Sequence, residues 1–575
     1  MSEESLLTRE KALYGLIFVV ALAMRLIALG NLPLGEGEAT LAMQALEQSR
    51  GLAPALSPQP GYLQLTTLLF YMLGAGPVLA RLWPALVGSL LVLAPFFLRR
   101  FVGRVPALLF AFFLAFDPGM VAISRQADGG MLAVSGVVLA VAFLLAGHPV
   151  GSGIFLGVGL LGGPQVWPGL IALGVAWAVA RPTDVEEVPL PRHWLRTMLI
   201  WAGGTLLVLG SLLLLAPSGL SAFGQSLVTY GQGWFAKPLA TTTPWPNWQE
   251  AKSVGHLLLA LVVYHPWVLV IGLVAGLRSV GQRGSINRFL LIWWGAALFL
   301  ALAYPGRQVT DLAWSLLPLL LLAARQVVSW VTVQKGDGLP ALMLAGMSFV
   351  LAVFVWMRWL MYLTASVDPV SVFALQAPLH LAALATAVGM IVVLGLLVGF
   401  GWNGRSAKLG LLGGLGAALL LYSFGVALGA GGFRGQQPEL WRQQPVFLDA
   451  DLLVKSLVQA SQWTTRENYA VDGVVAGVPS ESLRWELRDF RNIRFEPVLP
   501  VLNVENPPTV LITMEQEELA ASVQYTGQPF TIAAYVPWDL MLTKEFGFWS
   551  TMRRAPLQEP TIVLWVRTDR FPGSK

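Results

Sequence analysis

Apolar runs of about 20 residues recur along the first three-quarters of the chain, separated by short polar or Gly- and Pro-containing breaks. A run of that length can cross the hydrocarbon layer as one helix, which satisfies its own backbone hydrogen bonds. The pattern predicts thirteen spans, over 12–29, 77–98, 105–123, 129–146, 151–163, 166–180, 197–216, 255–277, 289–304, 310–332, 340–362, 372–400 and 409–430. The stretch "GYLQLTTLLFYMLG", 61–74, is short for a span and reads as an interfacial helix. "EATLAMQALEQ", 38–48, has helical periodicity just after the first span. Beyond about 431 the pattern changes. Strand-like runs ("PTVLITM", "FTIAAYV", "TIVLWVR") alternate with helical ones ("ESLRWELRDF", "EQEELAASV"), which predicts a small α/β domain over 432–575. The expected fold is an all-α polytopic membrane domain over 1–431 followed by that α/β domain. No internal repeat is visible.

Composition agrees. Of 575 residues, 55% are hydrophobic and only 12% charged, against about a quarter charged in a soluble chain. The absence of cysteine excludes disulfides and thiolate chemistry. The net charge of +5 lies mostly in short loops and calls for no nucleic-acid partner. The N-terminus "MSEESLLTREK" lacks the pattern of a cleaved signal peptide, so the first span reads as retained.

Lys and Arg set the expected orientation. They cluster in alternate loops: Arg9 and Lys11; Arg99, Arg100 and Arg104; Arg181, Arg192 and Arg196; Arg278, Arg283 and Arg288; Lys335; Arg405 and Lys408. These loops would be cytoplasmic. The first loop (30–76), the loop 217–254 and the C-terminal domain then face outside a plasma (inner) membrane.

The candidate chemistry gathers at that outer face. Glu36 and Glu38, in "GEGEA", sit where the chain leaves the first span. Glu38 falls near a helix N-terminus, where backbone N–H groups and the helix dipole favour a carboxylate. It suits a general base, a metal ligand or an ordinary helix cap. In "FDPGMVAISRQADGG", Arg125 and Asp128 are three apart and would pair on a helix, as an anchor or as a pocket wall. Arg307, in a short loop with Asp311, suits a phosphate or a lipid headgroup. Lys237, Lys252 and His256 stand among aromatic residues in or beside the loop 217–254, fit either for a sugar phosphate or for a membrane interface. His265 lies inside a span beside Pro266 and reads as a buried, satisfied histidine. No HExxH, P-loop or G-x-S-x-G is present.

Three segments together resemble the GT-C integral-membrane glycosyltransferases of the protein O-mannosyltransferase and aminoarabinose-transferase superfamily. They are "GEGEA" (35–39), in place of an acidic motif after span one, "ARLWPALVGSLLVLAPFFLRRFVGR" (80–104) and "DPGMVAISRQAD" (117–128). "GRQVTDLAWSLLPLLLL" is looser, and "SLRWELRDFRNIRF" (482–495) resembles an element of a prokaryotic subgroup labelled flippase-associated. The resemblance implies a GT-C-like fold and transfer of a sugar from a polyprenyl-phosphate donor to an extracytoplasmic acceptor. A basic residue, Arg307 or a loop lysine, would hold the phosphate, Glu36 or Glu38 would act as base, and Arg125 and Asp128 would shape the pocket. The sequence departs from the family at Gly37, where the family carries its catalytic Asp. Glu36 then supplies the carboxylate, the site is weakened, or the E-x-E pair holds a divalent metal (Mn2+ or Mg2+) as a D-x-D would. The rival readings are a non-catalytic flippase component or transporter for lipid-linked sugars, and a degenerate scaffold.

Overall fold

The computed structural model describes residues 3–183, 190–235, 253–282, 284–331, 338–367, 376–435, 437–442, 447–499, 507–514, 525–531, 534–538, 541 and 543–570. Helix α1, Glu3–Leu26, leads into a first loop that folds as two helices, α2 (Glu36–Ser49) and α3 (Pro60–Leu73). Pro77–Leu91 (α4) and Ala94–Val102 (α5) run on as one 26-residue apolar segment. Two later spans are broken. Arg104–Phe116 (α6) and Pro118–Ser124 (α7) meet at 56° about Asp117. Then come α8 (Gly130–Leu145), α9 (Pro149–Leu160), α10 (Val166–Ala180), α11 (Trp194–Gly210) and α12 (Ser218–Gly233). Val254–Tyr264 (α13) and Pro266–Ser279 (α14) meet at 92° about His265. The remaining long helices are α15 (Ile286–Ala303), α16 (Ala313–Trp330), α17 (Gly338–Val367), α18 (Ala377–Gly401) and α19 (Gly404–Ala430).

Proline explains both breaks. It lacks an N–H and pushes the residue before it out of the helical region. Asp117 (ψ 124°) and His265 (φ −129°) each end one helix and begin the next. Each stretch predicted to span the membrane is mostly helical over its described residues. Among the described residues six helices are long and apolar enough to cross a bilayer, or eight if each bent pair counts as one span; α8 to α11 are apolar but shorter. The chain is a multi-pass membrane protein. The stretch predicted as interfacial, α3, buries Tyr62, Leu63 and Phe70 and exposes Tyr71, Met72 and Leu73.

After α19 come α20 (Ala450–Thr465), β1 (Gly473–Ala476), α21 (Glu481–Glu486), β2 (Ile493–Glu496), β3 (Val510–Met514), β4 (Tyr525–Thr531), α22 (Thr543–Met552) and β5 (Thr561–Arg567). The sheet order is β2-β1-β3-β5-β4, with β2-β1-β3 parallel and β3-β5-β4 antiparallel. Leu453 and Leu457 of α20 close its apolar core with Val475, Ile512, Phe530 and Leu564. "TIVLWVR" is β5 residue for residue, and "PTVLITM" contains β3. "FTIAAYV" gives only the end of β4, and "EQEELAASV" lies outside the described residues. This mixed-sheet domain rests on the first loop. Trp485 of α21 is buried in one apolar cluster with Leu41, Leu46, Tyr62 and Leu63, its ring 5.9 Å from that of Phe70.

Candidate functional site

Glu36 and Glu38 share the first turn of α2 and point to different partners. Gly35 cannot cap this helix with a side chain, so Glu38 turns back and accepts the Gly35 N–H (3.0 Å). Glu38 also takes a two-pronged contact from Arg81 of α4, Nε to Oε1 at 2.8 Å and Nη2 to Oε2 at 2.6 Å, and the Ala127 N–H at 2.8 Å. Arg81 is buried and completes its donors on the carbonyls of Leu29, Leu32 and Pro33. Burial favours the neutral acid at Glu38, but Arg81 and the two N–H donors outweigh it and hold the carboxyl below its usual range.

Glu36 faces the mixed-sheet domain. Its Oε1 accepts the hydroxyls of Ser480 (2.6 Å) and Ser482 (2.5 Å), and its Oε2 the N–H groups of Glu481 (2.8 Å) and Ser482 (3.1 Å). It is thus a carboxylate supplied from the first loop to the N-terminus of α21. Burial raises its pKa, against the opposing effect of these four donors.

A cleft opens beside Glu38. It is lined by Glu38, Arg81, Arg125 and Arg442, with Leu29, Leu32, Ala122, Gln126 and Gly431 among its walls. Three guanidiniums and one carboxylate leave it electropositive. Its cavity is about 40 Å³, room for little more than a water molecule, so it is closed in this conformation. Glu36 is not part of its lining.

The other candidates fall in several places. Arg125 and Asp128 do not pair, because 125–129 is a turn and not helix. Arg125 donates instead to five carbonyls, those of Met24, Arg25, Ile27, Ala28 and Gly431, and so closes the C-terminal end of α1. Phe433 lies under its guanidinium at 4.2 Å. Asp128 accepts the Gly130 N–H at 2.9 Å. Burial, together with the nearby Glu38 charge, pushes its pKa up to about 7. Arg307 lies half-buried in the turn before α16, away from the cleft lining, while Asp311 accepts the Gln308 N–H in the same turn. His256 is buried, its Nε2 3.2 Å from the Leu440 carbonyl and its ring edge-on to Trp538. Lys237 and Lys252 lie outside the described residues. His265 is buried with Nε2 2.9 Å from Asp117 Oδ2, but neither ring nitrogen makes a hydrogen bond among the described residues, so it is not satisfied as expected.

Each carboxylate of the E-x-E pair already takes four donors from its own side, which does not fit a shared cation site. Among the described residues no three His, Asp or Glu groups converge as metal ligands. Arg81 and Arg442 were not singled out from sequence. Arg81 carried a signal, since an arginine inside an apolar span needs a specific partner. Arg442 and the serines of "PSESLRW" carried none, because their roles depend on contacts hundreds of residues away.

Searches of known proteins bear on the whole arrangement. ArnT from Cupriavidus metallidurans bound to undecaprenyl phosphate superposes over 100% of this chain and 99% of its own, with a TM-score of 0.52 at 14% identity. The fold is ArnT-like. The apo form of the same ArnT gives a TM-score of 0.52 and 14% identity over 96% of this chain and 97% of its own. No protein-family model matches the sequence, and no curated protein does. The likeness to ArnT therefore lies in the fold, from the multi-span helical part through the C-terminal mixed sheet.

Proposed function

We propose that the chain is a glycosyltransferase that takes a sugar from a polyprenyl-phosphate carrier and passes it to a hydroxyl or amine acceptor at the outer face of the membrane. The observation that carries this reading is the convergence of Arg81, Arg125 and Arg442 with Glu38 on one cleft, in a fold like that of a protein seen with undecaprenyl phosphate. Guanidiniums suit phosphate oxygens and stabilise the charge that grows on a phosphate leaving group.

In this reading the donor phosphate competes for the Arg81 fork that now holds Glu38. Arg442, half-buried and held by the Gly429 and Gly435 carbonyls at 3.4 and 3.3 Å, turns its side chain aside to open the cleft. Glu38, sharing Arg81 with the phosphate, becomes more basic and accepts the acceptor proton as the new bond to the anomeric carbon forms. The bond from that carbon to the phosphate oxygen breaks, and polyprenyl phosphate leaves. Glu36 is assigned to holding the C-terminal domain over the site.

The test is transfer in proteoliposomes from a panel of labelled polyprenyl-phosphate sugars to envelope acceptors, with Mn2+ and with EDTA. Glu38→Gln should lower turnover by about 10²- to 10⁴-fold, the usual worth of a positioned base. Full turnover in that variant would remove Glu38 from the chemistry. One observation favours a second reading. The four donors on each of Glu36 and Glu38 would equally suit a scaffold or flippase component that does no chemistry. Absence of transfer with every donor, together with faster transbilayer movement of the same lipids, would support it.

A further inference from the structure

One buried carboxylate has no part in the proposed chemistry. Glu439 is 2% exposed and lies between α19 and the C-terminal domain, three residues before Arg442 of the cleft. A buried acid needs specific partners, because its charged form loses water on burial. Glu439 has two. Tyr264, at the C-terminal end of α13, donates its hydroxyl to Oε2. Arg553, just past α22, brings Nη1 to 3.9 Å from the same oxygen, with its guanidinium over the Trp549 ring.

The backbone around Glu439 is pinned from several sides. Trp549 Nε1 donates to the Pro438 carbonyl at 2.8 Å. The Leu440 N–H donates to the same Tyr264 hydroxyl at 3.0 Å, and the Leu440 carbonyl lies 3.2 Å from His256 Nε2. Gln126, itself in the cleft wall, donates from Nε2 to the Trp441 carbonyl at 2.8 Å. The Arg442 N–H turns back onto the Glu439 carbonyl at 3.0 Å. The Arg442 side chain is held more loosely. Its contacts to the Gly435 and Gly429 carbonyls are 3.3 and 3.4 Å long, beyond the usual range of about 2.7–3.2 Å. The backbone of Arg442 is thus fixed while its guanidinium is free to exchange partners, as an arginine must to take up and release an anion at one place.

The Tyr264 hydroxyl is the pivot. It accepts the Leu440 N–H through a lone pair, so its one hydrogen has to point elsewhere, and Glu439 takes it. The carboxylate therefore orients the group that fixes Leu440, two residues from Arg442.

We propose that Glu439 and Tyr264 are positioning residues of the cleft, which hold the 438–442 segment so that Arg442 meets the phosphate of a polyprenyl-phosphate ligand. The inference rests on the reading of the cleft as a phosphate site. It gives the C-terminal domain a share in that site, since Trp549 and Arg553 hold the other side of the segment.

The experiment measures binding of undecaprenyl phosphate relative to undecaprenol by the full chain in nanodiscs, so that only the phosphate is read and no transfer is needed. Tyr264→Phe keeps the ring and removes the hydroxyl; it should weaken the phosphate preference about tenfold, roughly the worth of one hydrogen bond. Glu439→Ala should do the same. Glu439→Gln keeps an acceptor for Tyr264 and should restore most of the preference. Arg442→Ala should itself cost about tenfold or more, and in that background neither Tyr264→Phe nor Glu439→Ala should weaken binding further, because both act through the arginine. Charge alone predicts the opposite sign, since removing an acid beside an electropositive cleft strengthens its hold on an anion. Tighter binding by Glu439→Ala, unchanged binding by Tyr264→Phe, or equal losses with and without Arg442 would each overturn the positioning role. A wild type with no preference for the phosphate would instead overturn the reading of the cleft, and this inference with it.

Discussion

The carboxylate of Glu36 accepts the hydroxyl of Ser480 at 2.6 Å across 444 residues of chain. With Ser482 and two N–H groups beyond it, this contact is the polar half of a joint whose apolar half is Trp485 among the residues of α2 and α3. A charged hydrogen bond is worth about 1.5–3 kcal/mol, and a carboxylate left buried without donors costs more. The pair Ser480→Ala and Ser482→Ala should therefore loosen the joint while the helical part stays folded. Hydrogen exchange across 480–487 should rise at least tenfold, and mild proteolysis should release the C-terminal domain earlier. Unchanged exchange would show that Trp485 and the two N–H groups carry the joint without the hydroxyls.

Arg81 and Glu38 should behave as a unit in a double-mutant cycle. Either single change, Arg81→Met or Glu38→Leu, strands one buried charge, and such losses cost about 3–5 kcal/mol. The double variant strands none and should recover most of that. Arg81→Lys should fail to substitute, because an ammonium cannot make the two parallel contacts to Oε1 and Oε2. Apparent melting temperatures in detergent would read the cycle. Additive losses would show that the two side chains are held by their other partners and not by each other.

Much of the fold is legible along the chain because a membrane makes its demands locally. A span must be apolar over its length, and a proline can break it, as at Pro118 and Pro266, though Pro84 and Pro318 sit inside unbroken helices. The breaks are not legible: 105–123 and 255–277 are expected as single spans, and "FDPG" and "YHPW" look no different from the proline stretches around Pro84 and Pro318 that stay helical. β5 is legible for a similar reason, as a short β-branched run closed at both ends. The site was half legible. The acids of "GEGEA" stood out, but periodicity gave no way to see that Glu36 and Glu38 part company, one to Ser480 and one to Arg81. The helical spacing that pairs Arg125 with Asp128 is not provided by the turn at 125–129. The real partners of Arg125, the carbonyls at the end of α1, are about 100 residues earlier and carry no sequence signal.

Asp128 should give the protein a pH dependence near neutrality. Its pKa rises from 3.8 to about 7 on folding, so between about pH 4 and pH 7 the folded chain keeps a proton that the unfolded chain releases. The resulting stabilisation is present at acid pH and is lost as pH rises through 7, with a ceiling of about 4 kcal/mol. Burial shifts Glu36 the same way, whereas Glu38, held low by Arg81, works in the opposite sense. The apparent melting temperature should fall from pH 5 to pH 8, and Asp128→Asn should flatten part of that slope. An identical slope in the variant would place the titration elsewhere.

Close packing of α8 on α9 rests on glycine, and a single methyl group should disturb it. A Cβ on Gly136 would lie 2.4 Å from the backbone N and Cα of Gly159 and 2.8 Å from the Phe155 carbonyl oxygen. All three are backbone atoms and cannot rotate away, so the two helices must separate. Small residues let membrane helices approach in this way, and the attraction lost is the van der Waals contact along the crossing. Gly136→Ala should cost about 1–3 kcal/mol through overpacking, despite the better helix propensity of alanine. Gly174→Ala in α10, where a Cβ meets nothing within 4 Å, is the matched control and should leave stability equal or slightly higher. A similar melting temperature for both variants would mean that α9 shifts freely against α8 and that the crossing is not tight.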